Sequence, residues 1–287
     1  MNEQFEAIYA AIAYVEDHLH KPVGAGDMAA AAGYSLFHFV RTFNRVVHHT
    51  PYDYLMRRRL TEAARELVSS EQLILDISIR YCFNNPETFS RAFRRMFAIQ
   101  PSQFRTQGSL DPRQLQSPLT LAYLQHLHQG TYLRPEIVEG APLHLAGLMT
   151  QPMLPEDILA LWQHLGMDNL TPTAPAYGVT TYTPDGQPDF YLAAFQIETT
   201  AQPPVSLVTK TIPAGMFARF IHKGSAETLS LSRDYIYQTW LPKSGCKLAY
   251  PLEIEYFDKG WQARTEPTGE WQVLIPVSIP PETLQMS

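Results

Sequence analysis

Two sets of side chains in this sequence carry usable chemistry. The first is a doubled arginine: Phe39, Arg41, Phe43, Arg45, Pro51 and Tyr54 return at a constant offset as Phe89, Arg91, Phe93, Arg95, Pro101 and Phe104. On a helix, Phe39 and Phe43 share one face and Arg41 and Arg45 another, so one side packs while the other is basic. A helix of that kind fits a DNA major groove, where arginine reads guanine edges bidentately or neutralises phosphates. The second set is Glu253 and Glu255 in the run YPLEIEYFD. In a strand they share a face with Phe257, while Leu252, Ile254 and Tyr256 take the other. Two carboxylates beside an aromatic can hold a cation by charge and π-face attraction; the alternative is a solvated strand face.

The charge distribution separates these sets. The formal net charge of the chain is -6. Residues 1–107 carry 12 Lys and Arg against 11 Asp and Glu, whereas residues 108–287 carry 10 against 17. Within 41–105 there are 11 arginines and 6 acids, a basic patch beside an acidic partner domain. The apolar fraction of 45% supports real cores. No apolar run reaches membrane-spanning length, and MNEQFEAIYA lacks the basic start and apolar centre of a signal peptide, so a cytoplasmic protein with no membrane partner is expected. Cys82 and Cys246 have no CxxC neighbour and read as small buried residues rather than a disulfide or zinc site. His126 and His128 lack further ligand spacing and read as exposed histidines; no metal and no cofactor are expected.

The elements that must position the arginines follow from periodicity. Phe5, Ile8, Ile12, Val15 and Leu19 predict a first amphipathic helix, ended by Lys21, Pro22 and Gly24. A short apolar helix at Asp27–Ala32, and another at Asp76–Tyr81, each lead through a turn into a longer helix rich in Arg and Phe: two helix-turn-helix units. Thr50 and Pro51 read as N-cap and first residue of a linking helix that carries Leu55, Leu60, Ala63, Ala64 and Leu67. Such a linker fixes the separation of two reading helices, allowing a monomer to meet successive major-groove faces about 34 Å apart.

On these residues the chain resembles the paired helix-turn-helix domain of AraC/XylS-type transcription regulators, through GYSLFHFVRTF, TPYDYLMRRRLTEAARELV and ILDISIRYCFNNPETFSRAFRRMFAIQPSQFR. The resemblance covers about residues 1–107. It implies double-stranded DNA at a promoter or operator as partner, RNA polymerase as a further one, and DNA-facing positions at Ser35, Phe37, His38 and Arg41, then Asn85, Glu87, Thr88, Ser90 and Arg91. Arg41 and Arg91 are the expected base readers. Arg45, Arg57, Arg94 and Arg95, with Arg58 and Arg59, are expected on phosphates or on internal acids such as Glu62 and Glu66. Two residues depart from the family pattern. Cys82 stands where the second turn usually has Gly, which strains a positive-φ position or signals a different turn. Pro86 opens the second reading helix, where it is harmless only at N1.

Residues 108–133 read as a linker with a short helix near Leu119–Leu127, and the period then changes. Strands are expected at 134–150, 174–183 and 188–198 with a helix at Pro155–Leu165. The order repeats with a strand pair near 205–222 turning at Pro213-Ala214-Gly215, a helix from Ser225 to Trp240, and strands near 247–258 and 271–279. The expected fold is therefore multidomain: an N-terminal all-α double helix-turn-helix, then from 134 to 287 an α+β domain of two strand-helix-strand-strand halves around a mixed sheet. TIPAGMFARFIHKGS, YIYQTWLPKSG, YPLEIEYFD and WQVLIPV are similar to the gyrase-inhibitor-like domain, an effector-binding module of many regulators. That resemblance implies a small lipophilic effector, often a cation, in a cleft between the halves. Glu255, then Glu253, is the expected carboxylate, with Tyr256, Trp162, Trp240 and Tyr177 as wall candidates; Trp261 and Trp271 are weaker ones. The leading function is a drug- or stress-response transcription regulator and not an enzyme. A small-molecule hydrolase with a glutamate base and a ligand-free protein-docking module remain the alternatives.

Overall fold

The amphipathic period at the N-terminus becomes α1 (Glu3–Glu16), whose Phe5, Ile8, Ile12 and Val15 are buried. The computed structural model describes residues 3–128, 134–151, 154–168, 175–198, 203–258 and 260–279. Two compact units divide the chain, Met1–His128 with Tyr237–Thr239, and Gln129–Ile236 with Trp240–Ser287. The short helix expected in the linker, α8 (Leu121–His128), thus groups with the helical unit.

In the helical unit α2 (Ala25–Ala31) and α3 (Leu36–Val47) form the first helix-turn-helix. The linking helix α4 (Pro51–Ser69) begins at Thr50, whose hydroxyl accepts from Asp53 N at 3.0 Å. The second pair is α5 (Ile74–Arg80) and α6 (Pro86–Phe97), followed by α7 (Pro101–Gln107). Duplication extends to the packing: Phe39–Phe43 and Phe43–Tyr54 ring centroids lie 5.4 and 6.0 Å apart, and Phe89–Phe93 and Phe93–Phe104 lie 5.5 and 5.2 Å apart. The second copy joins Leu60, Ala64 and Leu67 of α4 in one buried cluster with Ile77 and Phe97.

The two turns differ as the sequence hinted. Gly33 has φ 69° and the cysteine in its place, Cys82, has φ 62°. For an L side chain that left-handed conformation costs about 1–2 kcal/mol. The second turn is also one residue longer, residues 81–85 against 32–35. Pro86 stands in the first turn directly after its N-cap Asn85, where its missing N–H is no loss. Neither cysteine is fully buried, contrary to expectation: both are half-exposed free thiols. His126 is also not exposed; α8 turns it into the helical core, while His128 does face solvent.

Among the described residues the second unit is built on one nine-stranded sheet. Its strands are β1 (Glu136–Gly140), β2 (Leu143–Thr150), β3 (Ala176–Tyr182), β4 (Pro188–Gln196), β5 (Val208–Ile212), β6 (Gly215–Lys223), β7 (Lys247–Leu248), β8 (Leu252–Phe257) and β9 (Glu270–Ser278). The order is β1-β6-β9-β8-β3-β4-β2-β5, with β7 beside β9. Every described pairing is antiparallel, so the expected mixed sheet is corrected. Hydrophobic alternation marks faces but not strand direction, which is why the sequence did not settle it.

The expected hairpin at Pro213–Gly215 is corrected too. β5 and β6 do not pair with each other; they form one bent strand lying against another, β1 and β2. A single register continues across both bends, with Gly140 opposite Gly215 and Leu143 opposite Ile212. Exchanging the halves leaves the strand order unchanged, with β3 and β8 meeting at the central seam. Each half brings its helix: α9 (Pro155–Asp168) in the first and, in the second, α10 (Leu229–Asp234), a π-helical turn at Tyr235–Trp240 and α11 (Leu241–Ser244).

Candidate DNA interface and effector site

The reading face of α3 is built by its cap and its core. Ser35 is the N-cap, its hydroxyl accepting from His38 N at 3.4 Å, and Phe39, Phe43, Val46 and Val47 are turned inward. That leaves Phe37, His38, Arg41 and Arg45 outward, with Phe37 81% exposed. Against DNA that ring would meet a thymine methyl. α6 repeats the arrangement. Asn85 caps it by accepting from Thr88 N at 2.8 Å, Phe89 and Phe93 point inward, and Glu87, Thr88, Arg91, Arg94 and Arg95 point outward. Ser90 is half-buried. Arg41, Arg45, Arg91, Arg94 and Arg95 are exposed and form no ion pair with any described residue.

The arginines of α4 are different. Arg58 is 2% exposed and bonds Glu16 through Nε at 2.8 Å and Nη2 at 2.7 Å, Glu62 at 2.9 Å and the Gln116 carbonyl at 2.7 Å. Arg59 donates to the Leu19 and Lys21 carbonyls, closing the end of the first helical region. Both are structural. Arg57 lies 3.1 Å from Asp53, which also accepts from His49 Nδ1 at 2.6 Å. Burial alone would raise the Asp53 carboxyl, but the His49 bond and the Arg57 charge outweigh it and hold it down at about 2. Glu66 is engaged by Arg80.

In the sheet unit, Glu253 and Glu255 lie on β8 opposite Thr180 and Gly178 of β3, at the seam between the halves. They are 0% and 1% exposed. The strand alternation was read correctly: Leu252 and Ile254 join Leu145, Val179 and Leu192 in one cluster, and the carboxylates take the other face. Trp162 is on that face, its Nε1 donating to the Tyr191 hydroxyl at 3.1 Å and its ring edge-on to Phe257 at 5.5 Å. Tyr177 and Tyr256 do not join them; they pack together at 5.2 Å with the opposite cluster. Trp240 lies against Phe220 instead.

Three residues of this site, Arg233, Arg264 and Tyr191, had no signal at short range. Arg233 of α10 bonds Glu253 at 2.7 Å and lies 3.9 Å from Glu255. Arg264, in the 3-10 turn Trp261–Thr265, bonds Glu255 with Nε at 2.9 Å and Nη2 at 3.3 Å, its guanidinium 5.4 Å from the Tyr191 ring centre. Trp261 stacks on Trp162, 5.9 Å apart and 14° from parallel. Burial would raise the Glu255 carboxyl, yet Arg264 and then Arg233 bring it below the usual range. Burial would lower Arg264, and Glu255 raises it instead. The site is thus a buried, charge-balanced set of two carboxylates and two guanidinia walled by aromatic rings. Among the described residues no His, Cys, Asp and Glu group has metal-binding geometry, and no helix is long and apolar enough to cross a membrane.

Comparison with known proteins divides the chain at the same place. Residues 28–107 match a family described as a helix-turn-helix domain, and residues 133–278, half of the chain, match one described as a GyrI-like small molecule binding domain. The right origin-binding protein of Escherichia coli K12 is 36% identical over 108 residues, which are 38% of this chain and 37% of that protein. The regulatory protein SoxS of the same organism is 39% identical over 94 residues, 33% of this chain and 88% of SoxS. The chain therefore matches little more than a third of the length of the origin-binding relative. Among solved structures, an AraC-type transcriptional regulator from Chromobacterium violaceum shares 25% identity at a TM-score of 0.35, covering 36% of this chain and 92% of its own. An integron cassette protein from Vibrio cholerae shares 21% at a TM-score of 0.38, covering 50% and 96%.

Proposed function

The chain belongs to the GyrI-like small-molecule binding family and carries an AraC-type helix-turn-helix domain ahead of that module, and from this we propose that it is a sequence-specific transcription regulator of double-stranded DNA controlled by a small effector. One observation carries the DNA-binding half. Two capped helices present Arg41 and Arg91 at equivalent positions, exposed and with no described acid in ion-pair reach. Arg41 and Arg91 read bases, Phe37, His38, Glu87 and Thr88 add base-edge contacts, and Arg45, Arg94 and Arg95 meet phosphates. Ser35 and Asn85 act chiefly as caps, each fixing the first turn from which those side chains project. Arg57, tied to Asp53, contributes to phosphate affinity less than Arg45. RNA polymerase is the partner through which bound protein would act on transcription, and the doubled reading head allows a monomer to suffice.

Effector binding is placed at the β3–β8 seam, where Glu255 and Glu253 lie beside Trp162 and Tyr191. The Arg264 and Arg233 contacts make Glu255 a poor proton acceptor, which disfavours a glutamate-base hydrolase. A selected-oligonucleotide pool, followed by anisotropy titration across salt, tests the DNA reading. Arg41→Ala or Arg91→Ala should lose about 1–3 kcal/mol at one base position. Arg94→Ala should instead lower the salt slope by about 0.9 with base preference kept. Salt-independent binding, or no preferred sequence, would refute it. Repeating the titration with lipophilic cations, neutral drugs and anions tests the effector half, since a regulator must bind its effector with different affinity in two states.

A further inference from the structure

The seam carboxylates that would receive an effector already hold a cation, and it belongs to the chain. Arg264 sets a planar guanidinium fork on both oxygens of Glu255, with the face of Tyr191 beside it. Three residues earlier Trp261 lays its indole parallel to Trp162. Gly166 of α9 leaves the space for that indole, since a Cβ there would come within 3.1 Å of Trp261 Nε1. The 3-10 turn enters after Gly260 at φ 96°, and it is a surface segment: Trp261 to Arg264 are only partly covered, whereas Glu255 beneath is 1% exposed.

The covered state is also imperfect. Gln262 Oε1, on the turn itself, is buried with no hydrogen-bond partner among the described residues. So is Trp271 Nε1, whose ring packs on Phe257, the neighbour of Trp162. A buried donor and a buried acceptor left unmade are a desolvation cost that the closed turn does not recover.

Resting on the effector reading above, we propose that Trp261–Thr265 is an internal plug whose Arg264 stands in for the effector, and that the effector is a planar aromatic guanidinium or amidinium. The argument is chemical mimicry. Beneath the turn lie a bidentate carboxylate for a flat N–H fork, an aromatic face beside it, and an indole platform on Trp162 for a second flat group. A quaternary or phosphonium cation has no N–H groups for that fork, so it recovers only the charge term. A displacing ligand carries the guanidinium and the aromatic ring in one molecule and so replaces Arg264 and Trp261 together. Arg233 stays behind on Glu253 and keeps that charge balanced.

The test uses the full chain and calorimetric titration with phenylguanidine, benzamidine and tetraphenylphosphonium. Arg264→Ala vacates the fork, so phenylguanidine and benzamidine should bind it at least tenfold more tightly than they bind the unmodified protein. Adding Glu255→Gln should abolish that gain, and tetraphenylphosphonium should show no comparable gain. Trp261→Ala loosens the plug without uncovering Glu255 and should gain severalfold, which decides the matter if Arg264→Ala fails to fold. Equal affinity of both plug variants and the unmodified chain overturns the proposal, as does a gain that survives Glu255→Gln. An effector that alters DNA affinity without regard to Arg264 or Glu255 would overturn the plug and leave the regulator reading standing. No effect of any compound on DNA affinity would remove the effector reading itself.

Discussion

Arg57 and Arg58 are adjacent in sequence and should respond to substitution very differently. Arg58 is 2% exposed and is the donor hub for Glu16, Glu62 and the Gln116 carbonyl, while the Tyr54 hydroxyl donates to Glu16 at 2.8 Å. Arg58→Met keeps the stem volume and removes the charge, leaving two carboxylates facing each other. Removing one partner of a buried pair costs about 3–5 kcal/mol. The side chains of Glu16 and Glu62 are 21% and 24% exposed and can turn toward water, which favours the lower end. The stranded Gln116 carbonyl adds about 1 kcal/mol. The expected loss is therefore about 3–4 kcal/mol, or an equilibrium midpoint about 2 M lower in urea at a slope near 2 kcal/mol/M. All 4 tryptophans lie beyond residue 160, so far-UV circular dichroism at a helix-dominated wavelength and tryptophan emission follow the two units separately. The helical transition should move and the emission transition should stay. Arg57→Met, at an 18% exposed side chain paired with a 37% exposed one, should move neither by more than about 0.5 kcal/mol. A shift below about 0.5 M for Arg58→Met would refute the assignment of this arginine to the frame.

Cys82→Gly relieves a left-handed residue at φ 62°; strain of about 1–2 kcal/mol against a glycine entropy cost of about 0.5–1 kcal/mol leaves a gain of about 0.5–1 kcal/mol in the helical transition, and a loss would show the side chain matters more than the turn. Gly178→Ala would place a Cβ 2.1 Å from the Tyr191 hydroxyl, so it should push that ring off Trp162, change the emission spectrum and cost about 1–3 kcal/mol; an unchanged spectrum contradicts the packing. Glu255 has a carboxyl depressed in the folded state, so its contribution is present above the unfolded value near about 4.3 and disappears as pH falls through the lower folded value. The emission-detected midpoint should therefore decline below about pH 5 in the unmodified chain, and Glu255→Gln should flatten that decline while lowering stability at pH 7. A decline of the same size in the variant would assign the acid sensitivity elsewhere.

The helical unit was legible because its information is local. The Thr50 cap, prolines at helix starts, and Phe pairs four residues apart are each complete within a turn or two, whereas Ser35 and Asn85, expected to face DNA, also cap α3 and α6. Duplication then supplied a second, independent copy of each signal. The sheet unit duplicates its strand order and not its residues, so only the pattern of elements could be read. Alternation in YPLEIEYFD correctly put both carboxylates on one face, but it carries no record of what covers that face. Arg233 is 20 residues before Glu253 and Arg264 is 9 after Glu255, and only the β3–β8 pairing with α10 and the 3-10 turn above it brings them together. The same limit made a hairpin of β5 and β6, which are one strand bent at Pro213–Gly215.

Arginine itself makes the point most sharply, because one residue type takes three roles here and spacing distinguishes only the first. Arg41 and Arg91 are exposed with no described acid within ion-pair reach, so their charge is available to an external anion. Arg58 is bonded to two carboxylates and the Gln116 carbonyl, and Arg59 to the Leu19 and Lys21 carbonyls, both buried, so their charge is spent within the fold. Arg264 is between these cases: its carboxylate is buried, but its own backbone belongs to a partly exposed turn. A bond whose one end is rigid and whose other end is on a surface segment can be broken by moving the segment alone. That asymmetry separates a replaceable cation from a structural one, and it places the regulatory freedom of this chain at Trp261–Thr265 rather than in the strands beneath.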